Sequence, residues 1–327
     1  MVRLIAVGVS LIASASAFAV GGPSLTTDIG TPVDQLSSHG GGPLRGQQVA
    51  FLTAGGCSRL GTWRLSTKPR VVWSRCAARP FGVSAYSNGL LWATLERLPE
   101  GRRRLSVWRE QAGHVNPRKR LISQYLAPGE AVPVVMSDQY FWIDGELRFP
   151  DGERYDGDFS LRPRYVGGFT VLYADGSVGL IGFDGIRLTI PSDPLPALAV
   201  RAGRGSGGQS NNFLILRGSV IEHRDSAGRM LNTYPLPKAK SYGDDRCFQP
   251  SPCPLAEVRL ADFEGWYVVY VHGRAIHLVD TRTGKDLVVQ RPREQPVHPQ
   301  LEPSGLTYSH GSKISFFGQR KIDALFR

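Results

Sequence analysis

Apolar residues along this chain come in short runs separated by turn signals. Beyond the first 19 positions, no stretch of about a dozen residues carries an apolar stripe of helical period. The runs are rich in Val, Ile, Leu, Tyr, Phe and Trp, which suit a pleated and largely buried surface. Between them stand Asn88-Gly89 and five Asp-Gly pairs, at Asp144-Gly145, Asp151-Gly152, Asp156-Gly157, Asp175-Gly176 and Asp184-Gly185. Such pairs supply the positive φ angles that two-residue hairpin turns require. The pattern predicts an all-β fold. Turn chemistry accounts for these aspartates without calcium, because the order D-x-[DN]-x-[DN]-G of an EF-hand does not occur.

The strongest apolar runs are Val49–Leu52, Leu90–Trp92, Tyr140–Trp142, Phe169–Tyr173, Phe213–Leu216, Tyr267–Tyr270 and Gly305–Tyr308. Their mean spacing is about 43 residues, the repeat length of a four-stranded propeller blade. Two units parse in full. One is Arg164–Gly167, Phe169–Tyr173, Ser177–Phe183 and Ile186–Ile190; the other is Glu257–Ala261, Trp266–Val271, Ala275–Asp280 and Asp286–Val289. Seven runs predict a single β-propeller domain of seven four-stranded antiparallel blades over residues 46–327. The count becomes six if the short third unit around residues 140–160 is an irregular blade. A lone blade cannot bury both faces of its sheet, so the ring must close. Closure is expected between Lys321–Phe326, read as the last strand, and the chain near Pro43–Leu52. Trp63, Trp92, Trp108, Trp142 and Trp266 fall in strand candidates, where packing between blades explains them.

On this period, and on phrases such as Phe149-Pro-Asp-Gly-Glu-Arg-Tyr155 and Val279-Asp-Thr-Arg-Thr-Gly284, the chain resembles the β-propellers, and more loosely the exported TolB-like or WD40-like propellers of bacteria. The resemblance covers residues 46–327 and implies a ring of repeated sheet modules.

The first residues change the picture of where the protein works. Arg3, an apolar stretch from Leu4 to Ile12, and Ala17-Phe18-Ala19 follow the order of a secretory signal peptide cleaved after Ala19. Its apolar core is shorter than the ~20 residues that span a bilayer. No later segment is long and apolar enough to do so, and residues 20–45, rich in Gly, Ser, Thr and Pro, read as a flexible leader. The expected location is therefore outside the cell or in the cell envelope or periplasm. Four cysteines fit such a compartment, and of three possible pairings Cys57 with Cys76 and Cys247 with Cys253 is favoured, because each pair brackets one local segment. A metal site would need closer CxxC spacing or neighbouring His, so neither a metal nor a cofactor is expected.

Lys and Arg number 39 against 28 Asp and Glu, a net charge of +11 that favours anionic partners. Export makes nucleic acid an unexpected one. Two basic clusters, Arg102, Arg103, Arg104 and Arg118, Lys119, Arg120, read as hairpin turns or loops that either contact an anionic partner or are simply solvated. Catalytic signatures are missing. Gly203–Gly208 matches G-x-G-x-x-G, yet it leads into a strand candidate at Asn211–Leu216 and offers no helix N-terminus to a pyrophosphate. No G-x-S-x-G elbow or H-E-x-x-H occurs. His272 and His277 stand at opposite ends of one hairpin turn but lack a third ligand. Asp138, Asp144, Asp244, Asp245 and Glu264 are carboxylates that an axial pocket could gather for glycosidase-type work, and each also reads as a turn or loop charge.

Two functions follow as expectations. The first is a monomeric, non-enzymatic binding or scaffold propeller for a protein or anionic polysaccharide outside the cell or in its envelope. The alternative is an extracellular hydrolase or lyase acting on an anionic glycan or ester, which requires two titratable side chains converging in an axial pocket.

Overall fold

Each of the seven apolar runs becomes the second strand of an antiparallel meander, for a reason visible in its side chains. In the strand Gln47–Thr53, Val49 and Phe51 pack toward one neighbouring sheet while Ala50 and Leu52 pack toward the other. In Gly89–Arg97, Leu90 and Trp92 divide from Leu91 and Ala93 in the same way. A strand buried on both faces has no polar side, so it reads as a continuous apolar run instead of an alternation.

The structure is a computed structural model describing residues 22–40, 47–55, 57–65, 67–86, 89–111, 117–136, 140–182, 185–203, 212–246, 255–295 and 297–327. Seven sheets are arranged as a β-propeller. The first blade comprises Val33–Gly40, Gln47–Thr53, Arg59–Arg64 and Arg70–Ser74; the second Ala78–Tyr86, Gly89–Arg97, Arg103–Gln111 and Arg118–Leu126. The third has three strands, Val134–Met136, Phe141–Ile143 and Glu146–Arg148. The fourth runs Pro163–Gly167, Thr170–Tyr173, Val178–Gly182 and Gly185–Ile190, and the fifth Ala197–Ala202, Asn212–Arg217, Val220–Asp225 and Met230–Pro235. The sixth holds Val258–Glu264, Tyr267–His272, Ala275–Asp280 and Asp286–Gln290, plus an extra strand, Tyr242–Asp244, parallel to Val258–Glu264. The first strand of each antiparallel meander touches those of its two neighbours, and the ring returns from Gln300–Glu302 to Val33–Gly40.

The core is divided accordingly. Seven apolar clusters occupy the seven junctions, one between each pair of adjacent blades. The junction of the seventh and first blades is sealed by Val33, Val49, Phe51 and Trp63 against Ile314 and Phe316. At ~25 cal/mol per Å² of apolar surface, this mutual burial is the dominant stabilising term, and no blade can supply it alone.

Three expectations are corrected. The supposed leader contains two strands: Val33–Gly40 opens the first blade, and Leu25–Asp28 pairs antiparallel with Lys313–Gly318, Leu25 opposite Phe316. The seventh blade is thus built from Gln300–Glu302, Gly305–His310, Lys313–Gly318 and this early strand, so Leu25–Asp28 completes the sheet, while Gln47–Thr53 contributes only side chains to the closing junction. Leu25–Asp28 is an outermost strand with Leu25, Thr26 and Asp28 exposed, so it lacks the apolar signature that marks a second strand. The closing segment Lys321–Phe326 is not a strand. Gln319–Leu325 forms an α-helix that buries Ile322, with Leu325 and Phe326 packed beside it, and the spacing 322, 325, 326 is one face of a helix. The irregular third unit is real but remains a separate blade, where Tyr140, Phe149, Tyr155 and Phe159 pack ring against ring, two of the pairs edge to face, in place of a fourth strand.

Candidate functional site

Of the carboxylates considered for an axial pocket, Asp244 and Asp245 are committed to guanidinium partners. Arg201, buried on the first strand of the fifth blade, pairs with Asp244 and donates to the carbonyl oxygens of Ala261 at 2.7 Å and Leu260 at 3.3 Å on the sixth. Burial would strip its proton, but the Asp244 charge more than reverses this and its pKa lies above the ordinary arginine value. Arg259 Nε donates to Asp245 Oδ1 at 2.7 Å, and His298 Nδ1 lies 3.4 Å from Asp245 Oδ2. Burial would raise the Asp245 pKa, yet His298 and Arg259 together hold it down to about 2. Arg246 pairs with Asp262 at 2.8 Å and reaches the Tyr165 hydroxyl on the fourth blade, while Asp262 accepts from Leu301 N–H on the seventh. Charges that are largely removed from water and held by counter-charges tie four blades together. Asp144 sits at a positive-φ turn position, Glu264 is buried at the end of its strand, and Asp138 lies outside the described residues. Neither the Cys247–Cys253 pairing nor most of the glycine-rich Gly203–Gly208 phrase falls within the described residues.

The histidines of the sixth blade do approach one another, with ring centroids 6.4 Å apart. Each already has a carboxylate: His272 lies 3.5 Å from Glu257, and His277 lies 3.1 Å from Asp286. Trp63, Trp92 and Trp142 are buried between blades, and Trp108 stacks on Trp92 with centroids 6.4 Å apart. Trp266 lies beside Tyr267 with the Arg282 guanidinium over its ring.

The two basic clusters separate. Both belong to the second blade, but Arg103 pairs across the ladder with Leu126 and Glu110 with Arg118, so they occupy opposite ends of one hairpin. Neither is confined to a turn: Arg103 and Arg104 begin the third strand, and Arg118, Lys119 and Arg120 begin the exposed outer strand. Arg104 is bound to Glu96, with Nε 2.8 Å from Oε2, and this pairing raises its pKa. Arg103 is used on the carbonyl oxygens of Ala127 and Glu130.

At the Arg118 end, the first and second blades part into a cleft of about 470 Å³, within the range of ligand sites. Its position follows from local packing. Trp63 Nε1 donates to Thr67 O at 3.0 Å, and Thr67 Oγ1 donates to Arg64 O at 2.7 Å, which pins the turn presenting Arg64 and Lys68. Gly89 floors the other side, where a Cβ would meet Glu110 O at 1.9 Å. Glu110, whose side chain is 9% exposed, receives Arg70 Nη2 at 2.6 Å on one oxygen and Arg118 Nη2 at 3.1 Å on the other. Arg118 also donates to Val72 O at 2.7 Å and stacks over Trp73 and Trp92. One carboxylate therefore orients two guanidiniums. Arg64 and Lys68 are exposed and have no carboxylate partner among the described residues. Neutral groups, among them Gln48, Thr62, Leu90 and Pro117, complete the lining.

The disulfide between Cys57 and Cys76, the favoured pairing, joins the turn between the second and third strands of the first blade to that blade's exit, with both residues exposed. The sequence marked Arg118–Arg120 but missed Arg64, Lys68, Arg70 and Glu110. Arg70 and Glu110 are 40 positions apart and meet only when two blades pack.

No family model and no curated protein matches the chain. Among solved structures it is similar to the WD40 domain of Pan2 from Neurospora crassa (10% identity, 88% of this chain and 89% of that one, TM-score 0.52). It is also similar to Saccharomyces cerevisiae Sqt1 (10% identity, 90% and 97%, TM-score 0.50) and to Kluyveromyces lactis Hsv2 (8% identity, 85% and 90%, TM-score 0.50). At such identities the likeness is one of fold, and the fold is the WD40-like β-propeller.

Proposed function

We propose that this chain is a non-enzymatic binding or scaffold propeller that acts outside the cytoplasm, as a monomer, on a protein or anionic-polymer partner. The observation that carries the reading is the contrast between its two sets of charges. Asp245 and Asp262 are consumed in buried ion pairs and Asp244 in a partly buried one, whereas the cleft between the first two blades presents three cations against one carboxylate. Exposed, unbalanced charge attracts a partner of opposite sign and sets its on-rate, while buried paired charge holds the ring. The Cys57–Cys76 disulfide supports an oxidising compartment, consistent with removal of a signal peptide after Ala19. The test is retention on immobilised mature protein of a cell-envelope component that elutes as salt is raised. Recovery of neither protein nor polymer at low and moderate salt overturns the reading. Intact mass of the exported chain with and without reductant checks cleavage and cysteine pairing together.

A further inference from the structure

Resting on that reading, we infer that the cleft between the first two blades is a binding site for an acidic polysaccharide bearing carboxylate groups. Three features converge. First, the cations form a track at one end of the junction. Arg64, Lys68 and Arg70 come from the end of one strand, the following turn and the start of the next, while Arg118 and Arg120, alternate residues on one face, open the neighbouring blade's outer strand and Lys119 faces the other way. Arg118 and Arg70 share Glu110, so both groups belong to one end of the junction. A track of this kind suits a polymer with spaced negative charges better than one compact anion.

Second, the two kinds of cation divide the work. The Arg70 and Arg118 guanidiniums are oriented by Glu110, and Arg118 and Arg120 lie over the tryptophan faces of Trp73, Trp92 and Trp108. They offer planar, directed donors suited to a carboxylate. Arg64 and Lys68 lack carboxylate partners among the described residues and can follow a flexible ligand. Third, the remaining lining is chemically suited to sugar. Gln48, Thr62 and Thr67 carry neutral donors and acceptors for hydroxyl groups, and the exposed Pro117 supplies apolar surface for the C–H face of a pyranose ring.

The experiment titrates the full mature protein with purified oligogalacturonate by calorimetry at low and moderate salt. Poly-glutamate and polyphosphate serve as competing polyanions, and a neutral oligosaccharide is run alongside. Two substitutions, Arg64→Ala with Lys68→Ala, affect exposed side chains outside the ion-pair network and should leave the thermal midpoint unchanged. The expected result is salt-sensitive binding of oligogalacturonate that these substitutions weaken by about tenfold or more. Arg164→Ala with Arg187→Ala, exposed cations of the fourth blade, should change it by less than about twofold. Equal weakening by both pairs, or by neither, removes the site while leaving the binding-propeller reading intact. Tighter binding of poly-glutamate or polyphosphate than of oligogalacturonate overturns the ligand class. If no polyanion binds while the envelope retention experiment still recovers a protein partner, the inference fails and the broader reading survives.

Discussion

Asp245 shows how much a single side chain can carry in this ring. Its carboxylate is almost wholly buried against Arg259 and His298, with a pKa of about 2 against ~3.9 for an unfolded aspartate. A depressed carboxylate pKa contributes stability that is fully present above the unfolded value and is lost as pH falls through the folded one. The pair therefore stabilises above about pH 4 by roughly 2–3 kcal/mol, and this is lost between about pH 4 and 2. Asp245→Asn should destabilise by about 3–5 kcal/mol at neutral pH because it leaves Arg259 buried without a counter-charge. Urea unfolding of both proteins at neutral and acid pH should show the gap narrowing as pH falls. Glu110 offers a second check. Glu110→Gln should cost about 1–3 kcal/mol in denaturant unfolding, because Arg70 and Arg118 lose their shared acceptor charge. Neither role was legible in the sequence. Asp245 looked like one of two adjacent loop acids, and its partners Arg259 and His298 lie 14 and 53 residues away.

At the scale of the element, legibility followed burial. Second strands such as Phe213–Leu216 are covered on both faces, with Phe213 and Ile215 in one junction and Leu214 and Leu216 in the next, so their apolar runs were unmistakable. Outer strands have little to announce them: Leu25–Asp28 and the Arg118–Lys119–Arg120 start of the second blade's edge are polar because they face water. The terminal helix covers only Gln319–Leu325, too short for its period to stand out. Ile322, wholly buried beneath it, is the residue that matters, and Ile322→Ala should cost about 2–3 kcal/mol by leaving a cavity beside Phe317 and Leu306. A chain lacking Leu25–Asp28 exposes the edge of Lys313–Gly318 and should melt at lower temperature and scatter light on heating, through edge-to-edge pairing. An unchanged melt without aggregation would mean that this strand does not hold the ring.

For the whole molecule, stability is shared among seven junctions of the same kind, so the disulfide is a local addition and not the main clasp. It closes a loop with a sequence separation of 19 within the first blade and its exit, which corresponds to about 3 kcal/mol by loop closure. Cys57→Ser with Cys76→Ser should lower unfolding free energy by that order while circular dichroism retains its β signature. The candidate cleft also exists only at this scale, because its lining cations come from the first blade and their carboxylate partner from the second.

The pairing of Leu25–Asp28 with Lys313–Gly318 reaches further than closure alone. Gly318 N–H donates to Ser24 Oγ at 3.3 Å and Lys321 Nζ to Gly22 O at 3.2 Å, so the two ends of the described chain lie side by side. A circular permutant that links those ends and is cut at the loop between Ile190 and Ala197 would recover the same seven modules with every native sheet supplied locally. In the natural order, by contrast, the earliest segment must wait for the latest before its backbone groups find partners, a long-range search that slows the final locking of the ring.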